Sequence, residues 1–97
     1  MWKQTNINLG TIVAKINKEV IFEYSGDEEI TDISTSCGCS QAEYKNGILK
    51  VTFFPNPVPT HLVAQGKDSY STTKHITIKQ GTKYIQLSFT AIIKNSL

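Results

Sequence analysis

The chain has 97 residues and a mass of 10.8 kDa, with 39% hydrophobic, 19% charged and 9% aromatic residues and a net charge of +2. A chain of this length usually holds one core, so we expect a single domain over residues 1–97. All ten basic residues are lysines, and they are scattered along the chain. Nucleic-acid interfaces concentrate basic residues and use arginine, so we expect no nucleic-acid partner. No apolar run approaches the roughly 18 residues of a membrane span, so we expect no membrane contact.

The start of the chain, MWKQTNINLG, lacks the continuous apolar segment of a secretion signal. We therefore expect a cytoplasmic protein or a component of a virion. In the cytoplasm cysteines remain thiols, so a disulfide between the two cysteines is the less favoured interpretation.

Alternation of apolar and polar residues with a period of two predicts strands along most of the chain, and no helix is predicted. The first strand is predicted over Asn6–Val13, with a bulge at Gly10. The segment EVIFEY is predicted to turn Val20 and Phe22 inward and to end at Ser25-Gly26. The next segment, EEITDIST, is predicted to be its hairpin partner.

Two further hairpins are predicted downstream. Asn46-Gly47 in YKNGILKVTFF is a strong signal for a tight turn between strands. A short turn at Gln80-Gly81 is predicted to join TKHITIKQ to KYIQLSFTAII. Between the hairpins, three prolines predict a crossover that leaves the sheet. The residues predicted to face the core are Leu49, Val51, Phe53, Ile76, Ile78, Ile85, Leu87, Phe89, Ala91 and Ile93.

About seven short strands in fewer than 100 residues, separated by frequent turns, are typical of an all-β, immunoglobulin-like antiparallel β-sandwich. Trp2 precedes the first strand, and packing over one end of the sandwich is a better explanation for it than partner docking. The three carboxylates of Gly26–Glu29 could attract Ca²⁺ weakly, although a solvated turn accounts for them more simply.

The two cysteines, Cys37 and Cys39, are the residues with the most chemical potential. With His61 and His75 they would form a Cys2His2 set suitable for Zn²⁺, but structural zinc sites place at least two residues between paired cysteines. Redox exchange usually needs a Cys-x-x-Cys at a helix start, and no base is positioned to activate a nucleophile. The favoured interpretation of Cys37, Gly38 and Cys39 is a structural corner after a strand.

The order of these motifs resembles the ASH/Hydin-like immunoglobulin-like domains, most closely a bacterial and phage branch of unknown function. The matching places are the INLGTI start, Gly10, Gly26, Cys37-Gly38-Cys39-Ser40, Gly66 and the strand from Lys74 to Ile78. Leu9 stands where this branch has an acidic or aromatic residue, and Asn46-Gly47 replaces its Pro-Gly turn. The resemblance implies a seven-stranded sandwich used for binding or assembly, without catalysis.

We therefore expect a non-enzymatic module that contacts protein partners in a larger viral or cellular assembly, through end loops or strand addition. A small phage virion protein of the decoration, neck or tail is one such case, indicated by the small size and AT-biased composition. The alternative is a cytosolic thiol or zinc-binding module based on Cys37 and Cys39. We assign no catalytic residue and expect no cofactor.

Overall fold

A computed structural model describes residues 1–36, 38 and 40–96 of the chain. Within these residues the chain forms seven strands and one short helix. In chain order they are β1 (Asn6–Val13), β2 (Lys18–Glu23), β3 (Asp32–Thr35), β4 (Ser40–Lys45), β5 (Ile48–Phe53), α1 (Thr60–Ala64), β6 (Ser69–Gln80) and β7 (Lys83–Lys94).

The strands form two sheets that enclose the core. One sheet has four strands in the order β1-β7-β6-β3, and the other has three in the order β2-β5-β4. All neighbouring strands are antiparallel except β1 and β7, which are parallel. The predicted antiparallel sandwich is therefore not purely antiparallel, because the first strand, β1, and the last strand, β7, pair with each other and run in the same direction.

The predicted hairpin between EVIFEY and EEITDIST is wrong. β2 pairs with β5, whereas β3 pairs with β6 in the other sheet. The segment that joins β2 to β3 spans residues 24–31. This is longer than the two to five residues of an ordinary hairpin loop, and it lets the chain cross between the sheets.

The other two hairpins are confirmed. β4 and β5 pair throughout, and the turn residues Asn46 and Gly47 have φ of 51° and 81°. These positive values suit a type I′ turn, whose twist matches that of the flanking strands. β6 and β7 pair from Ser69–Lys94 to Gln80–Lys83, and the turn contains Gly81 with φ of 63°.

The predicted first strand and its bulge are also confirmed. β1 pairs with β7, and the register shifts between Asn8 and Thr11, on either side of Gly10. The Asn8 side chain closes the bulge by accepting a hydrogen bond from the Gly10 N–H at 2.8 Å. After the bulge, Ile12 turns into the core.

The core lies between the inner faces of the two sheets. The predicted core phenylalanines Phe22, Phe53 and Phe89 are each at most 1% exposed. Phe53 and Phe89 come from opposite sheets, and their rings meet edge-to-face with centroids 5.1 Å apart. Aromatic pairs favour this geometry, so the contact joins the two sheets at the centre of the sandwich.

The segment after β5 contains Pro55, Pro57 and Pro59, and we call it the proline-rich segment. It connects the two sheets, as predicted. The side chains of Pro55 and Val58 are buried, and the Asn95 side chain accepts a hydrogen bond from the Val58 N–H at 2.9 Å. The expectation of no helix is wrong, because α1 forms one turn after Pro59. Five residues are too few to show a helical period in the sequence. No described helix is long and apolar enough to cross a membrane.

Candidate interaction surfaces and the Cys-Gly-Cys turn

The Cys-Gly-Cys motif stands where the chain passes from one sheet to the other. β3 ends at Thr35 in the four-stranded sheet, and β4 begins at Ser40 in the three-stranded sheet. Gly38 is exposed in the turn between them. A Cβ on Gly38 would meet no atom within 4 Å. Cys37 and Cys39 lie outside the described residues, so their predicted roles remain predictions.

The two candidate histidine ligands occupy different elements. His75 lies on β6, where its N–H donates to the Ser36 hydroxyl and its carbonyl accepts the Ser36 N–H, both at 2.9 Å. Ser36 directly precedes Cys37 in the sequence. His61 lies in α1, which is followed by the start of β6. The structure therefore places His75 against Ser36, the residue before the Cys-Gly-Cys segment.

The acidic turn does not gather its carboxylates into a ligand cluster. Asp27, Glu28 and Glu29 are exposed, and Glu28 pairs with Lys83 at 3.5 Å. Among the residues that the structure describes, no group of three or more His, Cys, Asp or Glu side chains could hold a metal ion.

Trp2 packs over one end of the sandwich, which confirms the packing interpretation. It is 7% exposed, and its ring lies 4.9 Å from the ring of Tyr24 and 6.4 Å from that of Tyr44. A backbone bridge to Tyr24 and a hydrogen bond from the Lys3 N–H to the Glu23 carbonyl at 2.9 Å hold this segment along the end of β2.

The outer face of the four-stranded sheet carries hydroxyl, amide and imidazole groups. Because Ile76 and Ile78 of β6 point inward, the alternate residues point outward, and the same holds on β7. We call this surface the uncharged face. Its residues are Asn6, Asn8, Thr11, Ser34, Ser71, Thr73, His75, Thr77, Gln86, Ser88, Thr90 and Ile92.

Hydrogen bonds between strands order the uncharged face. Asn6 Nδ2 donates to the Ser88 hydroxyl at 2.6 Å, and the hydroxyls of Thr73 and Thr90 lie 3.2 Å apart. Charged side chains flank the face at both ends of the long hairpin. Lys79 lies 5.8 Å from the centroid of the Tyr84 ring at one end, and Lys94 pairs with Asp68 at 3.9 Å at the other.

The outer face of the three-stranded sheet has a different chemistry. Lys50 lies at its centre and pairs with Glu19 at 3.3 Å. We call this surface the charged face. Its residues are Glu19, Ile21, Glu23, Gln41, Glu43, Lys45, Ile48, Lys50, Thr52 and Phe54.

Tyr70 ties the start of β6 to the proline-rich segment. Its hydroxyl donates to the Asn56 carbonyl at 2.8 Å. Burial raises the pKa of Tyr70 above the ordinary value, because removing water disfavours the phenolate.

Sequence reasoning missed two features of these surfaces. Gln80 was predicted to be a turn residue, yet it is 1% exposed. Its place one period after Ile78 was the signal that it faces inward. The uncharged face could have been found from the outward residues of TKHITIKQ and KYIQLSFTAII, because the hairpin sets them side by side.

Comparison with family models and with curated proteins finds no match. Among solved structures, the M1 domain from titin aligns with a TM-score of 0.54 and 7% identity, over 96% of this chain and 92% of that chain. At this identity the likeness shows the fold. The chain is an all-β, immunoglobulin-like sandwich with seven strands, as the sequence predicted.

Proposed function

We propose that this chain is a non-enzymatic, immunoglobulin-like interaction module whose uncharged face docks a protein partner in a larger assembly. The observation that carries the proposal is the run of four residue rows on β6 and β7, from Thr77–Gln86 to Ser71–Ile92, without a charged side chain. The centres of protein interfaces are depleted of charged residues, because each charge must lose its water on binding.

The order of the face supports the same role. Side chains that are already fixed by cross-strand hydrogen bonds, as Asn6 and Ser88 are, lose less rotamer freedom when a partner binds. The backbone below them is the most extensively paired hairpin of the fold, with twelve paired positions on β6 and β7. A hydrogen-bonded surface on a fully paired hairpin suits docking without rearrangement.

Matched lysine substitutions on the two faces test the proposal. Thr73→Lys places a charge in the uncharged face, and Thr52→Lys places the same charge on the charged face. Tagged protein is used for affinity capture from the native lysate, with quantitative mass spectrometry of what is retained. We expect a partner that wild type and Thr52→Lys retain equally and that Thr73→Lys loses at least about tenfold. Equal retention by both variants would contradict the assignment of the face.

We further propose that the assembly is a phage virion, with the chain in its decoration, neck or tail. The resemblance to a bacterial and phage domain branch and the richness in Lys, Ile, Asn and Thr support this. Mass spectrometry of purified virions should find the chain in a fixed number of copies per particle. A monomer that is absent from virions and that captures no capsid or tail component from infected cells would contradict the virion role.

A thiol or zinc module remains the second candidate, favoured by the position of His75. This histidine exchanges hydrogen bonds with Ser36, which precedes Cys37 in the sequence, and its Nδ1 is buried without a partner. Native mass spectrometry with and without chelator tests it. A chelator-sensitive increment of one zinc that His75→Ala abolishes and His61→Ala leaves unchanged would support a site at the Cys-Gly-Cys segment. Metal-free protein with two alkylatable thiols would contradict it.

A further inference from the structure

An open groove of about 530 Å³ lies where the charged face meets the proline-rich segment. The residues that line it include Phe54, Thr52, Asn17, Gln41 and Asn56. Sites for small ligands have volumes of about 300–1,000 Å³ and combine apolar surface with a few placed polar groups. None of the described lining residues carries a charge, so the groove suits a neutral ligand.

The strand register brings the side chains of the groove to one side of the sheet. Thr52, on β5, and Phe54, directly after β5, point away from the core, because the residue between them is buried. Phe54 is 44% exposed, so part of its ring surface is open to a ligand. Gln41 is the partner of Thr52 on β4, and directly opposite side chains share a face with Cβ atoms about 5 Å apart. Asn17 precedes β2, whose first residue pairs with the residue before Phe54. The ring therefore lies among polar side chains from three segments of the chain.

Two hydrogen bonds hold the walls of the groove in place. The Lys15 N–H donates to the Pro55 carbonyl at 2.8 Å, which ties the loop that bears Asn17 to the segment that bears Asn56. The Tyr70 hydroxyl donates to the Asn56 carbonyl at 2.8 Å. Because the backbone of both walls is fixed before a ligand arrives, binding orders only the side chains, which lowers its entropic cost.

The polar groups of the groove match the hydroxyls of a sugar. Carboxamide and hydroxyl side chains both donate and accept hydrogen bonds, as each sugar hydroxyl does. Within the part of the chain that the structure describes, the four polar side chains of the lining make no hydrogen bond to another residue. The face of a phenyl ring is electron-rich and attracts the C–H groups that one face of a pyranose presents. The ring of Phe54 and its polar surroundings therefore complement the two kinds of surface on a pyranose.

Other classes of ligand fit this lining less well. An anion would find no cation among the described lining residues, and a purely apolar ligand would remove water from four polar side chains. Peptides are usually recognised at an open strand edge, in an apolar groove or on several aromatic rings. The described lining offers a single ring, Phe54.

We propose that the groove binds a neutral pyranose residue, which stacks on Phe54 and exchanges hydrogen bonds with the carboxamides of Gln41 and Asn17. A free sugar and one residue of a glycan chain share this chemistry. The groove lies on the other sheet from the uncharged face, so a failure of this proposal would leave the proposed docking function untouched.

The side-chain amide cross-peaks of Asn17, Gln41 and Asn56 in ¹H–¹⁵N correlation spectra report binding directly. They are followed while methyl β-D-glucopyranoside, methyl β-D-galactopyranoside or methyl α-D-mannopyranoside is added. Sorbitol, which has similar hydroxyls but no rigid C–H face, is the control probe. For ligands of about 13 non-hydrogen atoms, we expect saturable shifts with a Kd on the order of 1 mM for at least one pyranoside. No saturable shift with any of the three up to about 20 mM, or equal shifts with sorbitol, would overturn the proposal.

The trisaccharide of the pyranose that binds distinguishes the two sources. Tighter binding of the trisaccharide than of the methyl pyranoside supports a glycan chain as the natural ligand, because further residues then contact the groove. Equal or weaker binding supports a free sugar.

Two pairs of variants test the groove itself. Phe54→Ala removes the stacking surface and should weaken pyranoside binding at least about tenfold, whereas Tyr84→Ala removes an exposed ring on the other sheet and should change nothing. Gln41→Met keeps the length of the side chain without its amide and should also weaken binding, and Gln86→Met makes the same change on the exposed surface of β7 as its control. Melting midpoints show that each variant is folded. Wild-type affinity in either Phe54→Ala or Gln41→Met would contradict the assignment of the groove.

Discussion

The two sheets of this sandwich have similar inner faces and different outer faces. Inside, both present phenylalanine and branched aliphatic side chains, such as Phe89 and Ile76 on one sheet and Phe53 and Val51 on the other. Outside, the four-stranded sheet presents the hydroxyls and amides of the uncharged face, and the three-stranded sheet presents the ion pair of Lys50 with Glu19. Burial requires apolar side chains on both inner faces, whereas the fold does not dictate which polar residues the outer faces carry. We therefore assign the function to an outer face, the uncharged face of the four-stranded sheet.

The largest expected effect is the difference in stability loss between a substitution on the inner face and one on the outer face of β7. Phe89→Ala should lower the free energy of unfolding by about 3–5 kcal/mol, because it leaves a cavity against Phe53. Its neighbour Thr90 faces outward and shares a hydrogen bond with Thr73, so Thr90→Ala should cost about 1 kcal/mol or less. Urea unfolding measures both values. Similar losses for the two variants would mean that the assigned faces of β7 are wrong.

The second prediction compares the stability cost of a glycine substitution in the hairpin turns of the two sheets. Gly47 and Gly81 both have positive φ, at 81° and 63°. A Cβ on Gly47 would also lie 2.9 Å from the Tyr24 carbonyl oxygen, whereas one on Gly81 would meet nothing within 4 Å. Gly81→Ala should therefore cost about 1 kcal/mol from backbone strain, and Gly47→Ala at least about 2 kcal/mol.

Thermal and urea unfolding of the two glycine variants checks this ranking. Because the turn of the three-stranded sheet contacts Tyr24, directly after β2, its glycine is fixed by tertiary packing as well as by turn geometry. A larger loss for Gly81→Ala than for Gly47→Ala would show that this contact does not constrain the turn.

The smallest effect concerns Tyr70, at the end of the four-stranded sheet that the proline-rich segment covers. Its raised pKa means that the folded state holds the phenol proton more tightly than the unfolded chain does. This contribution to stability is present below the unfolded pKa of about 10 and is lost as the pH rises through the folded pKa. We expect wild type to lose slightly more stability than Tyr70→Phe between pH 9 and pH 11, measured by urea unfolding. An equal loss in both proteins would contradict this.

Local signals in the sequence predicted much of the fold. The β4–β5 and β6–β7 hairpins form between adjacent segments, and Asn46-Gly47 and Gly81 mark their turns, so short-range turn chemistry was sufficient. The alternation within KYIQLSFTAII likewise located Leu87 and Phe89 in the core. These features depend on a few neighbouring residues each.

Pairings between distant segments were not predictable in the same way. The parallel pairing of β1 with β7 joins segments about eighty residues apart, as in the contact between Asn6 and Ser88. No local pattern encodes such a partner, because alternation shows that a segment is a strand and not which strand lies beside it. The β1 part of the uncharged face, Asn6, Asn8 and Thr11, shares this limit, whereas the rows on β6 and β7 lie within a hairpin that the sequence predicted.

Hydroxyl-radical footprinting of the captured complex locates the docking surface, because it reports the solvent exposure of side chains. We expect partner binding to protect His75 and Ile92 on the uncharged face and to leave Ile21 and Phe54 on the charged face as reactive as in the free chain. Protection of Ile21 and Phe54, with His75 and Ile92 unchanged, would place the interface on the three-stranded sheet and rule out docking through the uncharged face.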